Sequence, residues 1–417
     1  MADVGNERIE TLVIGCGQAG LAMSHMLSKR GRPHLVVERG RVAERWRSER
    51  WDGLHFQFPN WSVKLPDFPY ATSDPDGFAT KQDILQYIEA YLGFVKPPLR
   101  TGVDVTRLRR RSSGDGFVAD TSAGPIESDN VVVATGPYQR PNMPNLLRDY
   151  QDIFQVHAAH YTNPDQLPPG AVLVVGSGAS GVQITEELVR AGRRVFLSVG
   201  RHRRVPRHYR GRDLMWWLYT LGRDKMTAEE RGPDRLLPLI TGAYGGHTVD
   251  LRQYAADGVT LLGHLSGAKD GVLQFADDLA EKIRQGDTTY NMFLSMADAH
   301  IANAGLDMPD DPAAHERLPN PPGIHAPPRQ LELRAENINA VIWATGYGLD
   351  FSWIDMPVIK PDGEPIHRHG VSEIPGLYFI GLQWLSKMMS SFLSGVGDDA
   401  ARLAEHIASR QQSAWHP

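Results

Sequence analysis

An α/β fold made of two Rossmann-like dinucleotide-binding domains, the second inserted into the first and carrying a helical elaboration, is what this sequence predicts. Three observations predict it. Two glycine turns, Gly15-Cys16-Gly17-Gln18-Ala19-Gly20 and Gly176-Ser177-Gly178-Ala179-Ser180-Gly181, each follow an apolar run. The chain between them is long enough for a complete nucleotide-binding fold. Two further apolar runs, Val131-Val132-Val133 and Val341-Ile342-Trp343, each end in Ala-Thr-Gly.

The first turn comes with a full set of neighbours. Thr11-Leu12-Val13-Ile14 is short and apolar, as a buried parallel strand should be. Glycines there let the chain turn sharply, approach a pyrophosphate with bare backbone and pack a helix against the strand. The helix runs through Leu21, Met23, Met26 and Leu27, with its N-terminal N–H groups toward the phosphates, and Gly31 ends it. His34-Leu35-Val36-Val37 is the next strand. Glu38 closes it where an acid accepts ribose hydroxyls, with Arg39 beside it. Gly15, Gly17, Gln18, Ala19 and Gly20 are the expected cofactor contacts of this turn.

The second turn has the same grammar and a different ending. Ala171-Val172-Leu173-Val174-Val175 is its strand, and Gln183, Ile184, Glu187 and Leu188 lie on its helix. Gly176, Gly178, Ala179, Ser180 and Gly181 are the expected contacts. After Val195-Phe196-Leu197-Ser198-Val199 no acid follows; instead come Arg201, Arg203 and Arg204, then Arg207, Arg210 and Arg212. An acid there repels a 2′-phosphate and arginine grips one, which points to NADPH over NADH, with Ser198, Arg201 and Arg203 as contacts. A solvated basic loop is the other reading. Two dinucleotides in one chain imply a bound flavin, FAD, and a diffusing nicotinamide, NADPH.

The Ala-Thr-Gly segments, Ala134-Thr135-Gly136 and Ala344-Thr345-Gly346, are read as points where the chain passes between lobes, small residues being needed beside the cofactors. Gly376-Leu377-Tyr378-Phe379-Ile380-Gly381 reads as a strand returning to the first lobe. The expected division is a flavin lobe at residues 1–144 and 341–417 and a nicotinamide lobe at 145–340, with helical elaboration at about 242–328. Gly395-Val396-Gly397-Asp398 opens a last helix with the apolar stripe Leu403, Ala404 and Ile407. Its N-terminal potential suits a flavin pyrimidine, where reduction deposits negative charge; Asp398 as a plain helix cap is the alternative.

Composition excludes several classes. At 417 residues the chain suits two or three lobes, and a net charge of −5 points to neither nucleic acid nor anionic membrane. No apolar run is long enough to span a bilayer. The start, Met1 to Glu7, lacks a charged-then-apolar signal pattern, so a cytoplasmic protein is expected. Cys16 is the single cysteine, which removes disulfides and paired-thiol redox chemistry. No histidine grouping has metal spacing, and no metal is expected.

With these motifs placed, the chain resembles the class B flavin monooxygenases: the flavin-containing monooxygenases, their YUCCA-type plant relatives and, more distantly, the Baeyer–Villiger monooxygenases. The resemblance covers nearly the full length. Arg45-Trp46-Arg47, Trp51-Asp52-Gly53-Leu54-His55-Phe56 and Leu65-Pro66-Asp67-Phe68-Pro69 look like the family's region between the first turn and the flavin ring. Phe78-Ala79-Thr80-Lys81 matches its next helix, and Gly102-Val103-Asp104-Val105 its adenine-contacting strand, with Val105 as the contact. One signature is partial. Phe154 and His160 keep the spacing of the family's Phe-x-Gly-x-x-x-His linker, but Val156 replaces its glycine and Pro164 its later aromatic, with Tyr161 a displaced one.

The resemblance implies that NADPH reduces FAD, that a C4a-(hydro)peroxyflavin forms with O2, and that one oxygen passes to a small substrate at nitrogen, sulfur or carbon. It places an amide that holds this chemistry in register at Asn60 of Phe58-Pro59-Asn60-Trp61, or at Gln57. Trp46, Gln383 and Trp384 would line the pocket, or serve as core. The expected partners are the small-molecule substrate and O2, with no nucleic acid and no membrane, and a homodimer left open. Baeyer–Villiger oxygenation, an NADPH oxidase or reductase, and a flavin-bearing sensor are the competing readings.

Overall fold

The computed structural model describes residues 7–112, 114–232 and 236–410. Of the N-terminal stretch Met1 to Glu7, residues 1–6 lie outside the described residues. Two sheets with parallel central strands organise the chain, and the same local pattern builds both.

The first begins with β1 (Glu7–Ile14), α1 (Gln18–Lys29) and β2 (His34–Glu38). Then come α2 (Lys81–Val95), β3 (Leu99–Thr101), β4 (Val105–Arg110), β5 (Phe117–Thr121) and β6 (Ile126–Val133). A short strand β7 (Arg140–Pro141) leads out of this lobe. The second sheet uses β8 (Phe154–His157), β9 (Ala171–Val175), α3 (Ala179–Arg190), β10 (Val195–Ser198), β11 (Thr260–Leu262), the helix α4 (Leu279–Ala304) and β12 (Ile338–Trp343). The chain returns through β13 (Tyr347–Gly348), β14 (His367–Arg368), β15 (Val371–Ser372) and β16 (Leu377–Phe379), and closes with α5 (Val396–Ser409).

The first sheet runs β14-β15-β16-β6-β1-β2-β3, with β4 and β5 joined to it through β6; the second runs β8-β12-β9-β10-β11. The central strands are parallel, and Leu12, Val13, Val172, Leu173 and Val174 are wholly buried, which is why these runs are apolar without alternation. Helices α1, α2 and α5 cover one face of the first sheet. Leu21, Met23 and Leu27 meet Ile84, Ile88 and Tyr91 of α2 and the predicted stripe Leu403, Ala404 and Ile407 of α5. Thr80 caps α2: its hydroxyl accepts from the Asp83 N–H while the Asp83 carboxylate accepts from the Thr80 N–H.

Two boundaries differ from expectation. Strand β12 pairs with both β8 and β9, so Val341-Ile342-Trp343 is the middle of the second sheet, not the start of the flavin lobe's second piece at 341. The crossing falls after Trp343. There β13 pairs antiparallel with β7, so outgoing and returning connections hydrogen-bond to each other as a two-stranded hinge. The segment 242–328 is also not a purely helical elaboration. It contains β11, the fifth strand of the second sheet, and the antiparallel strands Leu265–Lys269 and Val272–Phe275, to which Gln330–Glu332 adds a third. Leu265, Leu273, Phe275 and Leu331 turn into one buried cluster, a strand-period pattern that helix-period reading misses.

Candidate functional site

Register brings the two sets of small residues together. Ile14 is level with Val37 and Val133, and Val133 with Phe379, so Gly15, Ala134 and Gly381 all leave the first sheet near the same edge. In the second, Val175 is level with Ser198 and Trp343, so Gly176 and Ala344 emerge side by side. Gly15 and Gly176 both have φ +105°, where a side chain would be strained. A Cβ on Gly15 would lie 2.7 Å from the Ala134 carbonyl oxygen, and one on Gly176 2.5 Å from that of Ala344. A Cβ on Gly20 or Gly181 would strike the Gly15 or Gly176 carbonyl oxygen at 1.9 and 1.8 Å. The middle glycines differ: a Cβ on Gly17 or Gly178 would meet nothing within 4 Å.

The outer glycines therefore build each turn, and the middle ones leave bare backbone facing open space at a helix N-terminus. That is the cradle a dinucleotide pyrophosphate requires, and the chain supplies it twice. Ala19, Ala179 and Ser180 open the helices α1 and α3, where their N–H groups face the same space.

Around the first turn, Glu38 accepts from the Cys16 N–H at 2.8 Å and the Gly40 N–H at 2.9 Å, which fixes its carboxylate at the end of β2. Arg39 beside it is exposed. Burial, then the neighbouring Glu38 charge, push the Cys16 thiol up to about 12, so it is a packing residue rather than a nucleophile. The Val103 N–H donates to the Glu38 carbonyl, and Val105 opens β4 two residues on. Gln18 donates from Nε2 to the Ser391 carbonyl at 2.8 Å, tying this turn to the segment that leads into α5. A Cβ on Gly381 (φ +76°) would lie 2.6 Å from the Ala19 Cβ. Asp398, in the first turn of α5, pairs with Lys387 and makes no cap hydrogen bond. Gln139 donates to Thr135 Oγ1 and the Gly136 carbonyl, holding the first Ala-Thr-Gly segment open.

Around the second turn the expectations divide. Ser198 is not available to a 2′-phosphate: its buried hydroxyl donates to the Gly263 carbonyl at 3.0 Å and accepts from the Leu265 N–H at 3.1 Å. It joins β10 to the chain leaving β11, a tertiary use that strand position does not reveal. Arg201 is exposed and Arg203 half-buried just past β10. Arg204, Arg207 and Arg210 are held by aspartates, while Arg212 is exposed. Arg204 pairs with Asp250 and Asp287, Arg207 with Asp213, and Arg210 with Asp298 and Asp310. Arg212 lies with its guanidinium 5.3 Å from the Trp216 ring.

The linker signature also reads differently in three dimensions. Val156 is a buried residue of β8, level with Ile342, so a valine there is core. His157, not the exposed His160, is the histidine of the hinge. Its Nδ1 accepts from the Ala159 N–H at 3.0 Å, leaving Nε2 to donate to the Gly346 carbonyl at 3.0 Å. Burial holds its pKa below the ordinary histidine value. Thr345 donates to the Asn142 carbonyl just past the other hinge strand.

Asn60 and Gln57 lie on a first-lobe loop under the second lobe. Asn60 is buried; its N–H donates to the Gly77 carbonyl and its Nδ2 to the Asp74 carbonyl at 2.9 Å. Its Oδ1 is buried with no hydrogen-bond partner among the described residues. Gln57 accepts through its carbonyl from Arg207 Nη1 at 2.6 Å. Phe58 packs with Tyr209, Trp217, Phe293 and Met389, an apolar cluster drawn from both lobes. Trp46 bridges the two lobe cores, and its ring centroid lies 5.7 Å from the Arg50 guanidinium. Gln383 is exposed, while Trp384 is buried at φ +56°, with Arg231 over its ring at 4.7 Å. His157 and the aspartate-held arginines were not legible as site neighbours, because no spacing rule marks an inter-lobe partner.

A model of the pyridine nucleotide-disulphide oxidoreductase family matches residues 12–220. The CzcO-like oxidoreductase of Geobacillus kaustophilus is 31% identical over 403 residues, spanning 96% of this chain and 98% of its own. A probable indole-3-pyruvate monooxygenase of Arabidopsis thaliana, YUCCA1, is 34% identical over 187 residues, 43% of this chain and 44% of its own. Among solved structures, a flavin-containing monooxygenase from Stenotrophomonas maltophilia superposes with a TM-score of 0.67 over 97% of this chain and 99% of that one. At 17% identity that likeness shows the shared fold. No helix among the described residues is long and apolar enough to cross a membrane. Two matched cradles and a relative aligned end to end agree: the chain belongs to the pyridine nucleotide-disulphide oxidoreductase family.

Proposed function

We propose that this protein uses NADPH and O2 to place one oxygen atom on nitrogen, sulfur or carbon of a small organic substrate, with oxidative decarboxylation as a variant of the last. FAD, once reduced, supplies the activated oxygen. The observation that carries the reading is the pair of equivalent cradles in a chain whose one cysteine is sealed inside the first turn. Electrons that arrive from a nicotinamide have no protein thiol pair to continue to.

In this reading Gly17 and Gly178 admit the two pyrophosphates, Glu38 accepts ribose hydroxyls, and the N-terminal potential of α5 faces the flavin pyrimidine. Asn60 offers its unpartnered amide end to the reacting face. The cluster around Phe58 and Trp217 keeps water from it, which strengthens every polar contact inside. Residues 341–343 aside, the division into a flavin lobe and a nicotinamide lobe stands as part of this proposal.

Asn60→Ala tests the role of the amide. The variant should keep its flavin and should be reduced anaerobically by NADPH within about twofold of the parent rate. In air it should release several times more hydrogen peroxide per NADPH, measured by a coupled peroxidase assay. Unchanged peroxide yield would remove Asn60 from the site.

A further inference from the structure

We propose that Arg207 is a positioning residue for the Gln57–Asn60 loop, fastening the second lobe to the segment that presents Asn60. Arg207 was one member of a basic run with the look of a phosphate grip, yet it is only 2% exposed. Its guanidinium is divided between two lobes. On one edge Nε and Nη2 lie 2.8 and 2.7 Å from Asp213 Oδ2, within the second lobe. On the other, Nη1 donates to the Gln57 carbonyl at 2.6 Å and to the Thr241 carbonyl at 3.4 Å. Its face lies 4.4 Å from the centre of the Phe78 ring, again in the first lobe.

The backbones close on each other around this side chain. A Cβ on Gly242 would lie 1.9 Å from the Phe56 carbonyl oxygen, and one on Gly246 would lie 2.6 Å from the Phe78 ring. The 241–246 segment therefore seats against Phe56, next to Gln57, and against Phe78 with no room for a side chain. Asp213 offsets the burial of the cation, and Nη1 is shared between the Thr241 carbonyl and, at the shorter distance, the Gln57 carbonyl three residues before Asn60. A planar fork held on one edge and stacked on one face has a fixed direction, so it sets where Gln57 sits. An ion pair that served stability alone would have no need to reach the other lobe.

The inference rests on the reading of Asn60 given above. Its test therefore scores the parent enzyme as well as the variants. Removing Arg207 alone would strand Asp213, so the main variant is R207M/D213N, which replaces the pair together. R207K, which keeps the charge and loses the fork, is the second. Both should retain FAD and the anaerobic rate of reduction by NADPH within about twofold. Amide hydrogen exchange of the holoenzyme across residues 56–63 should accelerate by about tenfold, with strands of the second sheet unchanged. NADPH oxidation in air without added substrate should rise several-fold, with matching peroxide.

Unaltered exchange and unaltered peroxide in either folded variant would reduce Arg207 to a structural ion pair and overturn the inference. A parent enzyme that oxidises NADPH in air as fast as it is reduced anaerobically, with all electrons in peroxide, would instead sink the monooxygenase reading. In that case faster exchange at residues 56–63 alone still decides whether Arg207 holds the loop.

Discussion

Gly17→Val will give a folded protein that purifies without flavin. A Cβ at Gly17 meets no protein atom within 4 Å, so the substitution starts into open space and should leave the turn folded. The backbone there is extended, at φ −89°, which valine accepts readily. The branched side chain then occupies the space a pyrophosphate needs. Losing two charge-assisted hydrogen bonds to phosphate, each worth about 1.5–3 kcal/mol, weakens binding by about a hundredfold or more. Gly20→Ala should do the opposite kind of damage. Its Cβ would stand 1.9 Å from the Gly15 carbonyl oxygen, so the turn itself must open, at a cost upward of about 3 kcal/mol. Thermal unfolding and flavin absorbance, read on both variants, separate the two cases. A yellow Gly17→Val protein would mean that the first cradle holds no dinucleotide.

Arg201→Ala should raise the Michaelis constant for NADPH by about ten- to a hundredfold and leave NADH unchanged, the worth of one charge-assisted phosphate contact. Ser198, whose hydroxyl is held by Gly263 and Leu265, is not expected to contribute. Arg201 and Arg203 follow β10 directly, where the proposed 2′-phosphate contact would fall. Steady-state kinetics with both nucleotides decide the matter. An equal change for both would mark Arg201 as a structural residue.

How much of this was legible in the sequence depended on whether the signal was local. Each glycine turn is a strand, a tight bend and a helix within about twenty residues, and every one of those steps has its own steric demand; both turns were found whole. The stripe Leu403, Ala404 and Ile407 was equally plain, because helix periodicity writes a buried face directly into the chain. What escaped were long-range uses. Val341-Ile342-Trp343 looked like a return to the first lobe, because nothing in an apolar run says which sheet it joins. The strand Thr260–Leu262 and the hairpin after it hid inside a stretch whose neighbouring residues have helical spacing. An arginine that grips a ligand and one that grips an aspartate read alike until the aspartate is placed.

The same limit bears on the partial linker signature. Val156 in place of glycine looked like a damaged motif. In the fold it is a buried strand residue beside Ile342, and the hinge is held by His157 through the Gly346 carbonyl and by the pairing of β7 with β13. The connection between the lobes is thus held by other contacts.

The most direct test of the central claim is the fate of dioxygen. The NADPH-driven reaction should be run under isotopically labelled O2 with methyl phenyl sulfide, N,N-dimethylaniline and cyclohexanone as probes of sulfur, nitrogen and carbon oxygenation. Mass spectrometry of the products and a peroxide assay complete the balance. The account predicts one labelled oxygen atom in a product of at least one probe, with peroxide falling short of the NADPH consumed by the amount of that product. Peroxide equal to NADPH with every probe, and no label in any product, would contradict it.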